Sequence, residues 1–294
     1  MLSVVALTSF VGVAQAESIS TSSGFSPAVI VEAFRNWPTE DKSMRFANQT
    51  QSSFFKQFGA MDLRPYKGIL WGMGGRCGEV NTFLAENGFP DVRLDDGPDC
   101  VGAAGVFKKE VKHKSPGTET VMDVPSGRYQ GAKFSHFEFA RSRGGDVILR
   151  IPSEEEGWSL NISPVSKHYA DLNAYTHVQK MVEDMKQIPS REGYTHLELP
   201  AAKMRVDVDV KWVLNLRIGG DKIDQAFKKV VFEFDHVSAK GEAAFGAGAT
   251  RSMGAKTHEK VFRIDGSYLA WFSKDGMNEP ALVVYVAQDG WIKK

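Results

Sequence analysis

The sequence predicts an α+β fold, and three observations carry that prediction. Strand-like segments dominate from Val101 to the C-terminus. Helical periodicity is confined to a few stretches between them. The one run that reads strand, glycines, helix, strand is followed by no further alternation, as a parallel α/β sheet would require.

Taken in order, Ser26-Pro27 opens a helix, with Ser as cap and Pro at the first helical position. Val29, Ile30, Ala33, Phe34 and Trp37 follow at helical spacing and give it one buried face; Pro38 ends it. Residues 43–58 form a second, weaker helical stretch. Residues 68–71 read as a short strand. Then come Gly72-Met73-Gly74-Gly75-Arg76-Cys77-Gly78, a helix over 79–87, a short strand over 92–94 and Asp95-Asp96. That order belongs to dinucleotide-binding units, but Cys77 stands where the motif needs a third small residue, so a structural turn is expected over 72–78. Strands follow over 102–107, 120–124, 133–140, 146–151 and 158–162. A helix is expected over 174–187. Further strands run over 196–199, 203–214, 229–234, 261–264, 268–273 and 281–286, with hairpin turns such as Ser273-Lys274-Asp275-Gly276.

Composition narrows the function. Lysines and arginines balance acids at net charge +0, which argues against a duplex nucleic-acid binder. Nineteen Phe and six Trp exclude a disordered chain. No later stretch has the roughly 20 consecutive apolar residues of a membrane span. The N-terminal 16 residues are apolar and end in Ala14-Gln15-Ala16, a small-x-small cleavage pattern, although the usual basic start is missing. A signal peptide over 1–16 and one domain over 17–294 are expected, in a secreted or extracellular protein (periplasmic in a bacterium). Cys77 and Cys100 leave two readings open in that compartment, a disulfide or two separate buried thiols. Asn48-Gln49-Thr50 and Asn161-Ile162-Ser163 are glycosylation sequons.

Enzyme signatures are missing. The seven His residues form no metal spacing, no Gly-x-Ser-x-Gly elbow exists, and Glu154-Glu155-Glu156 reads as a solvated turn. No catalytic residue, metal or cofactor is assigned. One tract is unusual. Gly241-Glu242-Ala243-Ala244-Phe245-Gly246-Ala247-Gly248-Ala249 leads into Thr250-Arg251-Ser252-Met253-Gly254-Ala255-Lys256-Thr257-His258 between two strand-like segments. A long, small-residue connection of that kind is uncommon in a compact fold and points to function.

The tract and its flanks resemble a serpin. His236-Val237-Ser238-Ala239-Lys240-Gly241-Glu242-Ala243-Ala244 is similar to the serpin hinge, and Phe262-Arg263-Ile264-Asp265-Gly266-Ser267-Tyr268-Leu269 to a late serpin strand, with Ser267 in place of Pro. Leu197-Glu198-Leu199-Pro200, Ala103-Ala104-Gly105-Val106-Phe107-Lys108 and Phe25-Ser26-Pro27 resemble further serpin segments, in family order over roughly residues 25–290. The chain departs from the family in length. It has no room between Asp96 and Val101 for the helix that crosses the main serpin sheet.

The resemblance implies a short, divergent serpin: a large central sheet, further sheets and helices, and an exposed reactive loop near the C-terminus. It implies a monomeric inhibitor of a serine protease, not an enzyme, whose loop is cleaved and then inserts as a strand. The hinge would be Gly241, Glu242, Ala243 and Ala244. Counting back from Phe262 puts the scissile bond at Lys256-Thr257, which suits a trypsin-like protease; counting from Gly241 puts it after Ala255. Simple hinge alignment turns Glu242, Ala244, Gly246, Gly248, Thr250, Ser252 and Gly254 inward on insertion. Glu242 and the missing helices define the alternative, a non-inhibitory serpin-like binding or storage protein.

Overall fold

The computed structural model describes residues 21–95, 97–185, 193–241, 260–277 and 279–294. The chain opens with β1 (Ser23–Phe25), α1 (Pro27–Arg35), β2 (Met44–Arg45), α2 (Gln49–Phe58), β3 (Leu70–Arg76) and α3 (Cys77–Glu86). Seven strands follow: β4 (Val101–Phe107), β5 (Lys109–Lys112), β6 (Thr118–Val124), β7 (Gly127–Phe134), β8 (Glu138–Arg141), β9 (Val147–Pro152) and β10 (Trp158–Pro164). After α4 (Asp171–Met185) come β11 (His196–Pro200), β12 (Ala202–Asp207), β13 (Arg217–Ile218), β14 (Asp221–Lys222), β15 (Lys229–Phe234) and β16 (Ser238–Gly241). The last strands are β17 (Val261–Arg263), β18 (Tyr268–Lys274) and β19 (Leu282–Val286).

The largest sheet is antiparallel, in the order β1-β19-β18-β10-β9-β8. Its central strands are buried on both faces: every residue of Leu282–Val286 and all but the last of Trp158–Pro164 are buried. Leu282–Val286 accordingly reads as a continuous apolar run, whereas Trp158–Pro164 alternates apolar residues with the buried polar Ser159, Asn161 and Ser163. α4 lies over β1 and β19, with Tyr175 buried edge-on against Phe25 and Phe58. Asn161 is fully buried in this sheet and donates to the Ser273 hydroxyl at 2.8 Å, so its sequon is inaccessible to a glycan in the folded chain. Asn48, the other sequon residue, caps α2 by accepting from the Gln51 amide.

Two smaller sheets are β17-β11-β7-β6, where β11 and β17 run parallel, and β12-β15-β16-β5. β14-β13-β2 and the pair β3-β4 complete the set. Several elements differ from the sequence reading. The stretch expected as one strand over 133–140 is split between β7 and β8, and 203–214 is a strand only to Asp207 before a 3-10 turn at Lys211–Val213. Residues 92–94 form no strand.

The glycine run is also corrected. Residues 70–76 are a strand, not a turn, and pair with β4 through Gly72↔Gly105 and Gly74↔Ala103. The glycines serve the helix beneath. A Cβ on Gly105 would collide with the Val29 carbonyl, and one on Gly74 with the Asn36 carbonyl. Small residues in this strand pair thus let α1 lie close against the sheet. Ser26 does precede the helix, but its hydroxyl donates to the Ala281 carbonyl at 2.8 Å instead of capping, tying α1 to the start of β19. Cys77 and Cys100 are joined by a disulfide, with Cα atoms 5.4 Å apart, that fixes the start of α3 to the chain entering β4.

Candidate functional site

The chain leaves β15 through a tight turn. The Asp235 carboxylate accepts from the amides of Val237 and Ser238 at 2.7 and 2.9 Å, which folds β16 back against β15. β16 is inserted between two neighbours. It runs antiparallel to β15 through Glu233↔Lys240 and Phe234↔Ala239, and antiparallel to β5 through Ser238↔Lys112 and Gly241↔Lys109. Ala239 is buried inward, while Lys240 faces out beside Glu110 at 3.5 Å.

His113 secures this turn from β5. Its backbone amide donates to the Val237 carbonyl at 3.0 Å, and its Nε2 donates to the Asp235 carbonyl at 3.2 Å. The ring is fully buried, edge-on to Phe134 and Phe234. That burial pulls its pKa down to about 4, against the weaker upward pull of Asp235.

Beyond Gly241 the neighbours of β16 part. Among the described residues, β4 pairs only with β3, and Lys229–Phe232 of β15 only with β12. Two facing strand edges, unpaired among the described residues, therefore bound a groove in line with β16. α1 forms its floor with Val29, Ile30 and Ala33, and cavities of about 130 and 90 Å³ lie along it. Phe89, Val92 and Leu94, from the loop after α3, close the outer side. Phe227 stands at the rim, 59% exposed.

Charge is concentrated on the β15 bank. The Lys228 ammonium is enclosed on the inner side, 3.7 Å from the centre of the Phe25 ring. Burial lowers its pKa to about 7, opposed by the Asp171 carboxylate. On the outer side Asp91 meets Arg205 and Lys229, each at 2.5 Å, and these cations hold its carboxyl down at about 2. Lys229 also contacts Asp207 at 3.1 Å.

Of the residues singled out from sequence, Gly241 is the last of β16. Glu242, Ala243, Ala244, Ala255, Lys256 and Thr257 lie outside the described residues. Lys260 is the first described residue after them, leading into β17. Glu154, Glu155 and Glu156 form an exposed turn, with Glu155 reaching the ammonium of Lys109. The groove has no counterpart in the sequence reading: no local pattern marks a strand edge that is unpaired among the described residues, and Asp91 finds its partners more than 110 residues away. The one available signal was the run of small residues over 102–105.

No family model matches the chain, and no curated protein matches it. Solved structures do. The native state of tengpin, a thermophilic serpin, superposes with a TM-score of 0.56 at 13% identity, covering 91% of this chain and 88% of that one. Human glycosylated kallistatin gives 0.55 at 10% identity and 92% coverage of both chains. Human thyroxine-binding globulin, complexed with thyroxine, gives 0.52 at 10% identity, again with 92% of both chains covered. The chain has the serpin fold, a fold shared by proteins named serpins and by a thyroxine-binding globulin.

Proposed function

We propose that this chain is a secreted serpin-type inhibitor of a serine protease, folded as one domain over 17–294 after removal of residues 1–16. The observation that carries the reading is β16, a strand that already lies between β15 and β5 and leads toward the groove between β4 and β15. On this reading the tract after Gly241 is the reactive loop. Cleavage at Lys256-Thr257 frees its first half to continue β16 along the groove, gaining backbone hydrogen bonds on both edges. The Cys77–Cys100 disulfide suits an oxidising compartment.

The register of β16 favours a different inward face from simple hinge alignment. Continued unchanged, it would set Glu242 between Lys108 and Val231 on the outer side with Lys240. Phe245 would then turn inward between Gly105 and Lys228, where Gly105 has no side chain to compete for the space. This register keeps the Glu242 carboxylate out of the interior and turns Arg251 inward in its place, together with Phe245.

Incubation with trypsin tests the reading. An SDS-stable covalent complex is expected, with the cut at Lys256-Thr257 by mass spectrometry; cleavage after Ala255 by elastase is the secondary expectation. Lys256→Ala should abolish the trypsin complex. Cleavage only at Arg251, or inhibition unchanged in Lys256→Ala, overturns the assignment. The second reading, a binding or storage protein of the same fold, is favoured by the loop drawn across the groove, which obstructs strand entry. It predicts clean cleavage without a complex.

A further inference from the structure

The walls of the groove carry one cation that no contact of the fold satisfies. The Lys228 stem lines both cavities, and its Nζ is buried 3.7 Å from the centre of the Phe25 ring with no hydrogen-bond partner among the described residues. No carboxylate among those residues forms an ion pair with it. Asp171, the acid whose charge it feels, is itself half-buried, and burial raises the pKa of its carboxyl. A buried ammonium normally has an anion or several acceptors around it; here it has the face of an aromatic ring.

The space beside it is apolar. The two cavities adjoin at Lys228, which they share with Val29, Leu84, Val92, Gly105 and Phe227. From there the larger, of about 130 Å³, runs along α1 past Phe34 and Trp37 to Val213 and Ile223. No Asp or Glu lines either cavity. The other polar groups of the walls are already engaged: the Ser26 hydroxyl with the Ala281 carbonyl, the Trp37 indole with Asp221, Gln225 with the Asp95 amide, and Lys229 with Asp91. An apolar chamber with a single unused cation is complementary to a ligand with one negative end and an apolar body. Phe227, 59% exposed at the rim, places apolar surface at the mouth.

We propose that the cavities around Lys228 bind a small apolar monocarboxylate, a straight-chain fatty acid of medium length, with its carboxylate on the Lys228 ammonium and its hydrocarbon body along α1 toward Trp37. The carboxylate supplies the acceptor that the ammonium lacks, in surroundings where such a pair is strong. The chain takes the place of water against Val29, Phe34 and Val213. The head group therefore sets the selectivity and the chamber sets the chain length. This site goes beyond the inhibitor reading and needs neither account of the chain after Gly241.

Isothermal titration calorimetry on the intact, disulfide-bonded protein tests it. The probes are octanoate, octan-1-ol and octylammonium, all below micelle-forming concentrations, with acetate as the head group alone. Octanoate should bind one to one. Octanol should bind about tenfold more weakly, and octylammonium and acetate should give no measurable heat of binding at the same concentrations. Lys228→Met keeps the apolar bulk and removes the charge, so it should bring octanoate and octanol to within about twofold of each other. Val92→Trp fills the chamber from the covering loop and leaves the cation in place; it should weaken octanoate and octanol alike, by about tenfold. Equal binding of octanoate and octanol to wild type, a preference for octanoate that survives in Lys228→Met, or no binding of octanoate at millimolar concentration overturns the site. A trypsin complex that still forms alongside any of those results leaves the inhibitor reading standing, so the two fail separately.

Discussion

The six-stranded sheet and the groove are built from the same materials and packed to opposite standards. In the first, β10, β18 and β19 are paired on both edges and covered on both faces; Tyr268, Trp271, Phe272 and Tyr285 are all within 1% of full burial. In the second, among the described residues, β4 is paired only with β3 and most of β15 only with β12, cavities run between them, and glycines replace side chains against α1. The contrast is one of packing: one half is paired and covered throughout, and the other keeps cavities beside singly paired strand edges among the described residues. Regions that must open are drawn from the less stable part of a fold.

One side chain type in two places gives the sharpest test. Leu269 of β18 is fully buried in the main sheet, whereas Leu84 of α3 already borders both groove cavities. Leu269→Ala should cost about 4 kcal/mol, because its dense surroundings cannot collapse into the space. Leu84→Ala should cost about 2 kcal/mol or less, since part of its contact is already missing. Denaturant unfolding of both variants checks this, and equal losses would erase the distinction between the halves.

The seam between the halves should be the acid-sensitive part. His113 holds the turn into β16 while packed on Phe134 and Phe234. Its folded pKa of about 4 lies below the roughly 6.5 of the unfolded chain, so the unfolded state binds the proton more readily. Stability from this group is complete above about pH 6.5 and is lost as pH falls toward 4, by about 3 kcal/mol in all. Urea midpoints from pH 7.5 to 4 should show that slope, and His113→Phe should flatten it. A slope that survives in His113→Phe would assign it to other groups.

The well-packed half was largely legible in the sequence and the groove was not, for a physical reason. β18 and β19 announce themselves as apolar runs because burial on both faces selects nearly every residue, and β10 by strict alternation of Trp158, Leu160 and Ile162 with polar residues. The helix after Ser26-Pro27 was legible from its spacing, though the Ser26 hydroxyl turned out to serve Ala281 rather than the helix end. The glycines over 72–75 misled, because a glycine chosen for close approach of a helix looks in sequence like one chosen for a turn. Residues 92–94 looked like a strand because they are apolar at one face of a covering loop, a role that local pattern cannot separate from a strand. The Gly241–Ala244 hinge rests on resemblance alone, and of its residues only Gly241, the last of β16, is described.

Lys228 offers the smallest and most discriminating break in the comparison. Buried polar groups of the main sheet, Ser159, Asn161 and Ser163, are neutral, whereas the groove half encloses an ammonium on the Phe25 ring. Its folded pKa of about 7 lies below the roughly 10.4 of an unfolded lysine, so folding opposes its charge. The penalty is complete below pH 7 and disappears as pH rises through the unfolded value, so stability due to this group increases between about pH 7 and 10.5. The ring contact returns part of that cost, about 1 kcal/mol. Lys228→Met, of similar shape and no charge, should therefore stabilise the protein by about 2 kcal/mol at pH 7, with the gain shrinking toward pH 10. Asp171→Asn should move the lower edge of the window downward, since Asp171 is the charge that raises the Lys228 pKa. The gain should come with a slower strand entry, because Lys228 lines both cavities and a methionine there packs the floor of the groove more firmly against Phe25. A Lys228→Met protein that is less stable at every pH would mean that the ammonium is a net support, and that the groove half is tuned for strength like the sheet beside it.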